Sequence, residues 1–170
     1  MVEHRQAAAS LLGSSQHPLL FLDIDGVMNT VGGMSLHKSK AVFTPASVIA
    51  LRRIIQATAC RVVISSSWRM DQMSLLETVF ADHGLHMILE RIIGSTPVLD
   101  PCDDPTREDE IGCWLHGSQY RGRMAILDDE PCLGDLSRWH VAVEESQGLV
   151  QKHAAASIEL LNRGPLFGIR

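Results

Sequence analysis

The chain has 170 residues, of which 45% are hydrophobic and 21% charged, and its formal net charge is −5. This composition is typical of a globular domain with a sizeable core, and it excludes extended disorder. The negative charge provides no general attraction to nucleic acid, so a polynucleotide contact requires a local patch. No apolar run is long enough for a bilayer, and the first residues lack a secretory pattern. We therefore expect a soluble, cytoplasmic protein without a membrane partner.

The chain shows no internal repeat and no linker between domains. Residues 1–17 are expected to form a loosely attached arm, and residues 18–170 a single domain. The four cysteines form no C-x-x-C pair and lack zinc-site spacing, which predicts reduced thiols that are mostly packed in the core.

The first predicted element is a short apolar strand, residues 19–23, that ends in two acids. Asp23 and Asp25 stand one residue apart and are followed by Gly26. Residues two apart in an extended chain project to the same side, so these carboxylates can share one site. Such a pair predicts either a bound hard cation such as Mg²⁺ or a raised pKa. A calcium-binding EF-hand is rejected, because the twelfth position counted from Asp23 is Met34.

The remaining predicted elements alternate between helix and strand. Thr44 and Pro45 are typical of a helix start, and the apolar spacing predicts a helix to about residue 58. A strand follows at 61–65, then a helix at 71–83 that Gly84 closes. A third strand is expected within 86–93, where a helical portion is also compatible with the sequence. Thr106 caps a further helix, and strands at 124–127 and 140–143 precede a closing helix at 150–162.

This alternation predicts an α/β fold with a mostly parallel central sheet covered by helices on both faces. Ligands of such sheets bind beyond the carboxyl ends of the strands, near the point where the strand order reverses. Asp23, Asp25, Ser65 and Asp128 all follow predicted strands. The sequence therefore predicts that separate polar strand ends meet in one functional site.

These residues could supply the groups that cleavage of a phosphate ester requires. Mg²⁺ held by Asp23 and Asp128 would balance the phosphoryl charge. Asp23 could attack phosphorus and form an aspartyl-phosphate, which water later hydrolyses. Asp25 could protonate the leaving oxygen and then deprotonate that water.

The phosphate-binding groups have several candidates. Ser65 offers a hydroxyl and a backbone N–H, with Ser66 and Ser67 as rivals, and one serine of SSSWR is expected to cap the next helix. The cation on the phosphate is Arg107 or Arg69. Arg107 could instead pair with Glu108, Asp109 or Glu110, and Arg69 could lie on the surface. Trp68 could stack on a base, although partly buried packing is the commoner role of such a tryptophan. Trp114 and Trp139 are assigned to the core.

Four segments of the chain resemble, in order, the four motifs of the haloacid dehalogenase (HAD)-like phosphohydrolase superfamily. They are LFLDIDGV, VVISSS, an arginine before a helix, and ILDDE. The resemblance extends from about residue 19 to residue 161, and the combination with SSSWR looks most like the small HAD domain associated with RNA-repair proteins. It implies a Rossmannoid three-layer sandwich and Mg²⁺. It also implies a nucleophile at Asp23, an acid/base and main-chain metal ligand at Asp25, a phosphate ligand at Ser65 and a metal ligand at Asp128. The resemblance further implies a basic third-motif residue, which we place at Arg107. The chain departs from the family here, because that residue is often lysine and no lysine occurs between Lys40 and Lys152.

The intervals between these motifs leave no room for the cap domain that many members of the superfamily carry. An open site suits phosphate on a polymer end or a macromolecule, although a partner chain could cover it. The expected partner is a phosphorylated substrate, either a small molecule or a polynucleotide end. Our leading hypothesis is a Mg²⁺-dependent phosphatase that acts through an aspartyl-phosphate, with nucleotide or RNA ends among its candidate substrates. The alternatives are a phosphotransferase and a phosphate-binding or regulatory module without turnover.

Overall fold

The computed structural model describes residues 17–30, 42–69 and 73–168, so the predicted arm lies almost wholly outside the described residues. Five strands and five α-helices lie in these ranges. The strands are β1 (Leu19–Leu22), β2 (Arg61–Ile64), β3 (Ile92–Ser95), β4 (Met124–Asp128) and β5 (His140–Ala142). The helices are α1 (Pro45–Thr58), α2 (Met73–Asp82), α3 (His86–Leu89), α4 (Arg107–Ser118) and α5 (Gln151–Arg163). Short 3₁₀ turns occupy Ser67–Arg69, Pro101–Asp103 and Gly134–Trp139.

The strands form one parallel sheet in the order β3-β2-β1-β4-β5. From β1 the chain proceeds outward through β2 to β3, and then returns to place β4 and β5 on the other side of β1. The order therefore reverses between β1 and β4, which is the position where open α/β sheets bind ligands.

Alternate residues of each strand face two separate hydrophobic cores. On one face, Leu20 and Leu22 of β1 belong to a buried cluster that includes residues of α1, α2 and α5. On the other face, Leu19 and Phe21 pack with the α4 residues Ile111 and Leu115. Because helices cover both faces, the predicted three-layer α/β sandwich is confirmed. Over the described residues no further domain is inserted between the strands, and no helix is long and apolar enough to cross a bilayer.

Side-chain caps fix the starts of two helices where the sequence predicted them. The Thr44 side chain accepts a hydrogen bond from the Ser47 N–H, and Pro45 opens α1. Thr106 and Asp109 cap each other's backbone at the start of α4. The satisfied N–H groups would otherwise have no partner within the helix, which explains why the sequence could predict these boundaries.

Two local predictions need refinement. The segment predicted as a third strand within 86–93 contains the one-turn helix α3 before β3 begins at Ile92, because Leu85 and Ile88 are both buried after the left-handed turn at Gly84. The prediction of mostly packed cysteines is wrong. All four thiols are free, but only Cys60 is buried, whereas Cys102, Cys113 and Cys132 lie in connecting segments or on the outer side of α4 and are exposed.

Candidate active site

Three polar residues lie at the same level of the sheet, immediately after the last residues that pair β1 with β2 and β4. Leu22 of β1 is in register with Ile64 of β2 and Leu127 of β4. The next N–H groups still bond across, from Ser65 to the Leu22 carbonyl and from Asp23 to the Leu127 carbonyl, both at 3.0 Å. Because strand residues alternate between faces, these side chains share the α4 face. The structure thus brings together Asp23, Ser65 and Asp128.

Three carboxylates form a buried acidic cluster at this edge. One oxygen each from Asp23, Asp128 and Asp129 lies within 4.8 Å of the other two, and Asp23 and Asp128 are buried. Asp129 was not predicted as a site residue, although it stands in the ILDDE motif. Gly26 permits its approach, because its φ is +73° and a Cβ there would collide with the Asp129 carboxylate.

The cluster is electrostatically unfavourable without a cation. Burial, and then the neighbouring Asp128, raise the pKa of Asp23 to about 7. Burial likewise raises the pKa values of Asp128 and Asp129. Within the described part of the chain, the buried Oδ2 of Asp128 has no hydrogen-bond partner. Oxygen donors with this arrangement fit a hard divalent ion such as Mg²⁺, which would favour their charged forms.

Arg107, the first residue of α4, lies against two of these acids. Its Nη2 is 3.4 Å from Asp23 Oδ1 and its Nε is 3.1 Å from Asp128 Oδ2, an ion pair without hydrogen-bond alignment. Its Nη1 donates to the Ser65 carbonyl and, at 2.9 Å, to Glu110. Burial disfavours the charged guanidinium, but Asp128 and Asp23 outweigh burial and the pKa of Arg107 is raised. Arg107 is therefore placed to hold an anion over Asp23.

Arg69 lies beside the same carbonyl but has a different set of partners. Its Nη1 donates to the carbonyls of Ser65 and Ser66, at 3.1 and 2.7 Å, and its Nη2 pairs with Glu110. Its side chain is only 4% exposed. Glu110, one of the three acids expected as alternative partners of Arg107, thus joins both arginines. Arg69 fixes the turn after β2, and it forms its ion pair with Glu110 rather than with the acidic cluster.

The three serines after β2 differ in their burial and in their hydrogen-bond partners. The Ser65 hydroxyl is buried and has no partner among the described residues, so it can donate to a ligand. Its backbone N–H donates to the Leu22 carbonyl of β1. The expectation that this N–H binds phosphate is therefore wrong. Ser66 Oγ accepts from the Trp68 N–H at 3.4 Å at the start of the 3₁₀ turn, which is the capping role expected of one serine. Ser67 is exposed.

The Asp25 carboxylate is turned toward Trp68 and Asn29. Trp68 Nε1 donates to Asp25 Oδ2 and Asn29 Nδ2 donates to Asp25 Oδ1, each at 2.9 Å. Trp68 is partly buried against the core, as the packing interpretation predicted, and in addition donates this hydrogen bond. Metal ligation by the main chain of Asp25 stays a prediction.

Residues 19–154 match a family described as the HAD domain in Swiss Army Knife RNA repair proteins. The chain belongs to this family. The match extends from β1 into α5 and includes every residue of the site, so the resemblance inferred from the four motifs is confirmed. No match was found among curated proteins or among solved structures.

Two sets of side chains therefore lie at one edge of the sheet in this HAD domain. Asp23, Asp128 and Asp129 can hold a divalent ion, while Arg107 and the Ser65 hydroxyl can bind the oxygens of an anion. Asp25, two residues after Asp23, is not part of the acidic cluster, and its carboxylate accepts from two donors. Such a set is suited to binding a phosphoryl group, since carboxylates that can hold a cation lie next to a guanidinium and a free hydroxyl.

Proposed function

We propose that this HAD domain hydrolyses phosphate monoesters in a Mg²⁺-dependent reaction through an aspartyl-phosphate on Asp23. The observation that carries the proposal is the position of the Asp23 carboxylate, which lies between two further acids and the Arg107 guanidinium at the topological switch point. A site for binding phosphate alone would not need a nucleophilic carboxylate and an acid two residues away, and Asp23 and Asp25 provide this pair.

The proposed reaction has two steps. Asp23 attacks phosphorus while the bond to the leaving oxygen breaks, and Asp25 gives its proton to that oxygen. Asp25 then removes a proton from a water that attacks the aspartyl-phosphate, which releases inorganic phosphate and restores Asp23. Arg107 and the Ser65 hydroxyl bind the non-bridging oxygens throughout. Mg²⁺, held by Asp23, Asp128, Asp129 and the Asp25 carbonyl, would supply charge neutralisation.

The proposed substrate is the terminal phosphate of a nucleotide or an RNA end. The family description names RNA repair proteins, and no inserted domain covers the site over the described residues. Exposed acids at Asp100, Asp103 and Asp104 would repel a polynucleotide backbone near α4. We therefore propose that a polynucleotide is held mainly by its end.

The test is phosphate release from p-nitrophenyl phosphate, nucleotides, and RNA with 5′ or 3′ phosphates, in Mg²⁺ and in chelator. Asp23→Asn should lower the rate by about three powers of ten or more, because it removes the nucleophile. Asp82→Asn, a matched change at an exposed residue that ends α2, should leave the rate unchanged. Equal rates for Asp23→Asn and the parent would exclude Asp23 as the nucleophile.

The same assay separates the two alternative functions. Transfer of the phosphoryl group to an added alcohol or nucleoside, in preference to water, would indicate a phosphotransferase. Binding of inorganic phosphate without turnover of any substrate would indicate a regulatory or binding module.

A further inference from the structure

Proton transfer by Asp25 requires that its carboxyl group is held in a defined orientation, since a misplaced donor protonates the leaving oxygen poorly. The structure provides one donor for each oxygen, from Trp68 and from Asn29. Each oxygen keeps a further lone pair for exchange of a proton. The two hydrogen bonds thus restrict rotation of the carboxyl group and still leave it able to exchange a proton.

Both donors are themselves fixed by neighbouring groups. Asn29 Oδ1 accepts the Gly26 N–H at 3.1 Å, which leaves only the NH₂ group of Asn29 to face Asp25. Trp68 lies in the turn after β2, where Ser66 Oγ accepts the Trp68 backbone N–H. In the same turn the Arg69 side chain donates to the carbonyls of Ser65 and Ser66. The indole ring also packs against the hydrophobic core. The end of β2 therefore sets the position of the indole N–H.

We propose that Trp68 is a positioning residue of the reaction, whose indole N–H orients the Asp25 carboxyl group toward the leaving oxygen. The inference rests on the proposed phosphatase function and adds a residue that the four motifs do not assign. It predicts a role in protonating the leaving group and none in binding the phosphoryl group.

Trp68→Phe tests this role, because it removes the N–H while keeping an aromatic ring for packing or stacking. An alkyl phosphate needs a proton on its leaving oxygen, whereas the p-nitrophenolate of p-nitrophenyl phosphate leaves without one. The variant should lower kcat/KM for the alkyl ester by about tenfold and for p-nitrophenyl phosphate by less than about twofold. Asn29→Ala, which removes the other donor, should shift the ratio of the two kcat/KM values in the same direction.

Trp139→Phe is the matched control. Its Nε1 donates to the Pro165 carbonyl at 2.8 Å, in the core beneath α4 and outside the site, so both kcat/KM values should stay at the parent level. The contact itself is checked by the ¹⁵N-indole resonance of Trp68, which should move in Asp25→Ala.

The outcomes distinguish the inference from the function on which it rests. If the parent is active and Trp68→Phe lowers kcat/KM equally for both esters, or for neither, the inference is overturned while the proposed phosphatase function stands. The inference is also overturned if the ¹⁵N-indole resonance of Trp68 does not shift in Asp25→Ala. A parent that hydrolyses neither ester overturns the proposed function, and the inference with it.

Discussion

The Nε of Arg107 lies 3.1 Å from Oδ2 of Asp128, so a fixed positive charge stands at the edge of the acidic cluster. The same guanidinium reaches Asp23 through Nη2. Arg107 therefore neutralises the carboxylates on which a divalent ion would also depend. This relationship makes metal affinity and anion binding depend on one side chain.

Arg107→Met is expected to strengthen the binding of Mg²⁺ to the substrate-free protein by about an order of magnitude, because it removes a competing cation from Asp23 and Asp128. The same change should raise KM, since the phosphoryl oxygens lose their positive partner. Isothermal titration with Mg²⁺ and steady-state kinetics measure the two effects. Arg53→Met, at an exposed residue of α1, is the control. Weaker Mg²⁺ binding in Arg107→Met would contradict the proposed competition.

The raised pKa of Asp23 predicts how stability depends on pH in chelator. The folded protein holds a proton on Asp23 up to about pH 7, whereas the ordinary pKa of an aspartate is 3.8, so folding favours the protonated form. The stabilising contribution of protonated Asp23 to the free energy of unfolding is therefore fully present below about pH 4, and it is lost as pH rises through about 7. Urea unfolding across this range should show a smaller decline for Asp23→Asn than for the parent or Asp82→Asn. An identical decline in all three would mean that Asp23 titrates normally.

Asp129 should contribute to metal binding although its side chain is only partly buried. Its carboxylate oxygen lies within 4.8 Å of those of Asp23 and Asp128. Asp129→Asn is expected to weaken Mg²⁺ binding by about tenfold, through loss of a charged oxygen ligand. Glu130→Gln, a matched change at the exposed next residue, should have little effect in the same titration. Equal affinities for both variants would remove Asp129 from the proposed ligand set.

Glu110 is predicted to hold both arginines in place. It pairs with Arg69 and Arg107, whose side chains are 4% and 17% exposed. Glu110→Gln should lower the free energy of unfolding by about 2–4 kcal/mol, because it leaves the buried guanidinium of Arg69 without its counter-charge and removes one of the three acids that pair with Arg107. It should also raise KM by loosening Arg107. Glu159→Gln breaks an exposed pair with Arg163 on α5 and should cost less than about 1 kcal/mol. Denaturant unfolding compares the two variants.

Features that depend on neighbouring residues could be predicted from the sequence. The caps at Thr44 and Thr106 and the short apolar runs predicted helix and strand limits that agree closely with the structure. The acids that follow β1 and β4 could be placed at one edge, because parallel strands put their carboxyl ends together. The one-turn helix α3 was harder to separate from β3, since a single buried turn has no period of its own.

Contacts between distant residues could not be predicted in this way. Trp68 and Asp25 are 43 positions apart, and their hydrogen bond depends on the turn after β2. Whether Arg107 or Arg69 faces the acids depends on how α4 and that turn sit over the sheet. The approach of Asp129 depends on the backbone at Gly26 in a neighbouring strand connection.

Spacing and capping are local properties of the chain, so the amino-acid order was enough to predict the α/β class and the set of polar residues at strand ends. Only the folded arrangement shows which carboxylates share a cluster, which arginine lies against them, and which donors hold Asp25. Those choices follow from strand order and side-chain direction across the sheet, where a shift of a few ångströms separates an ion pair from two unrelated surface charges.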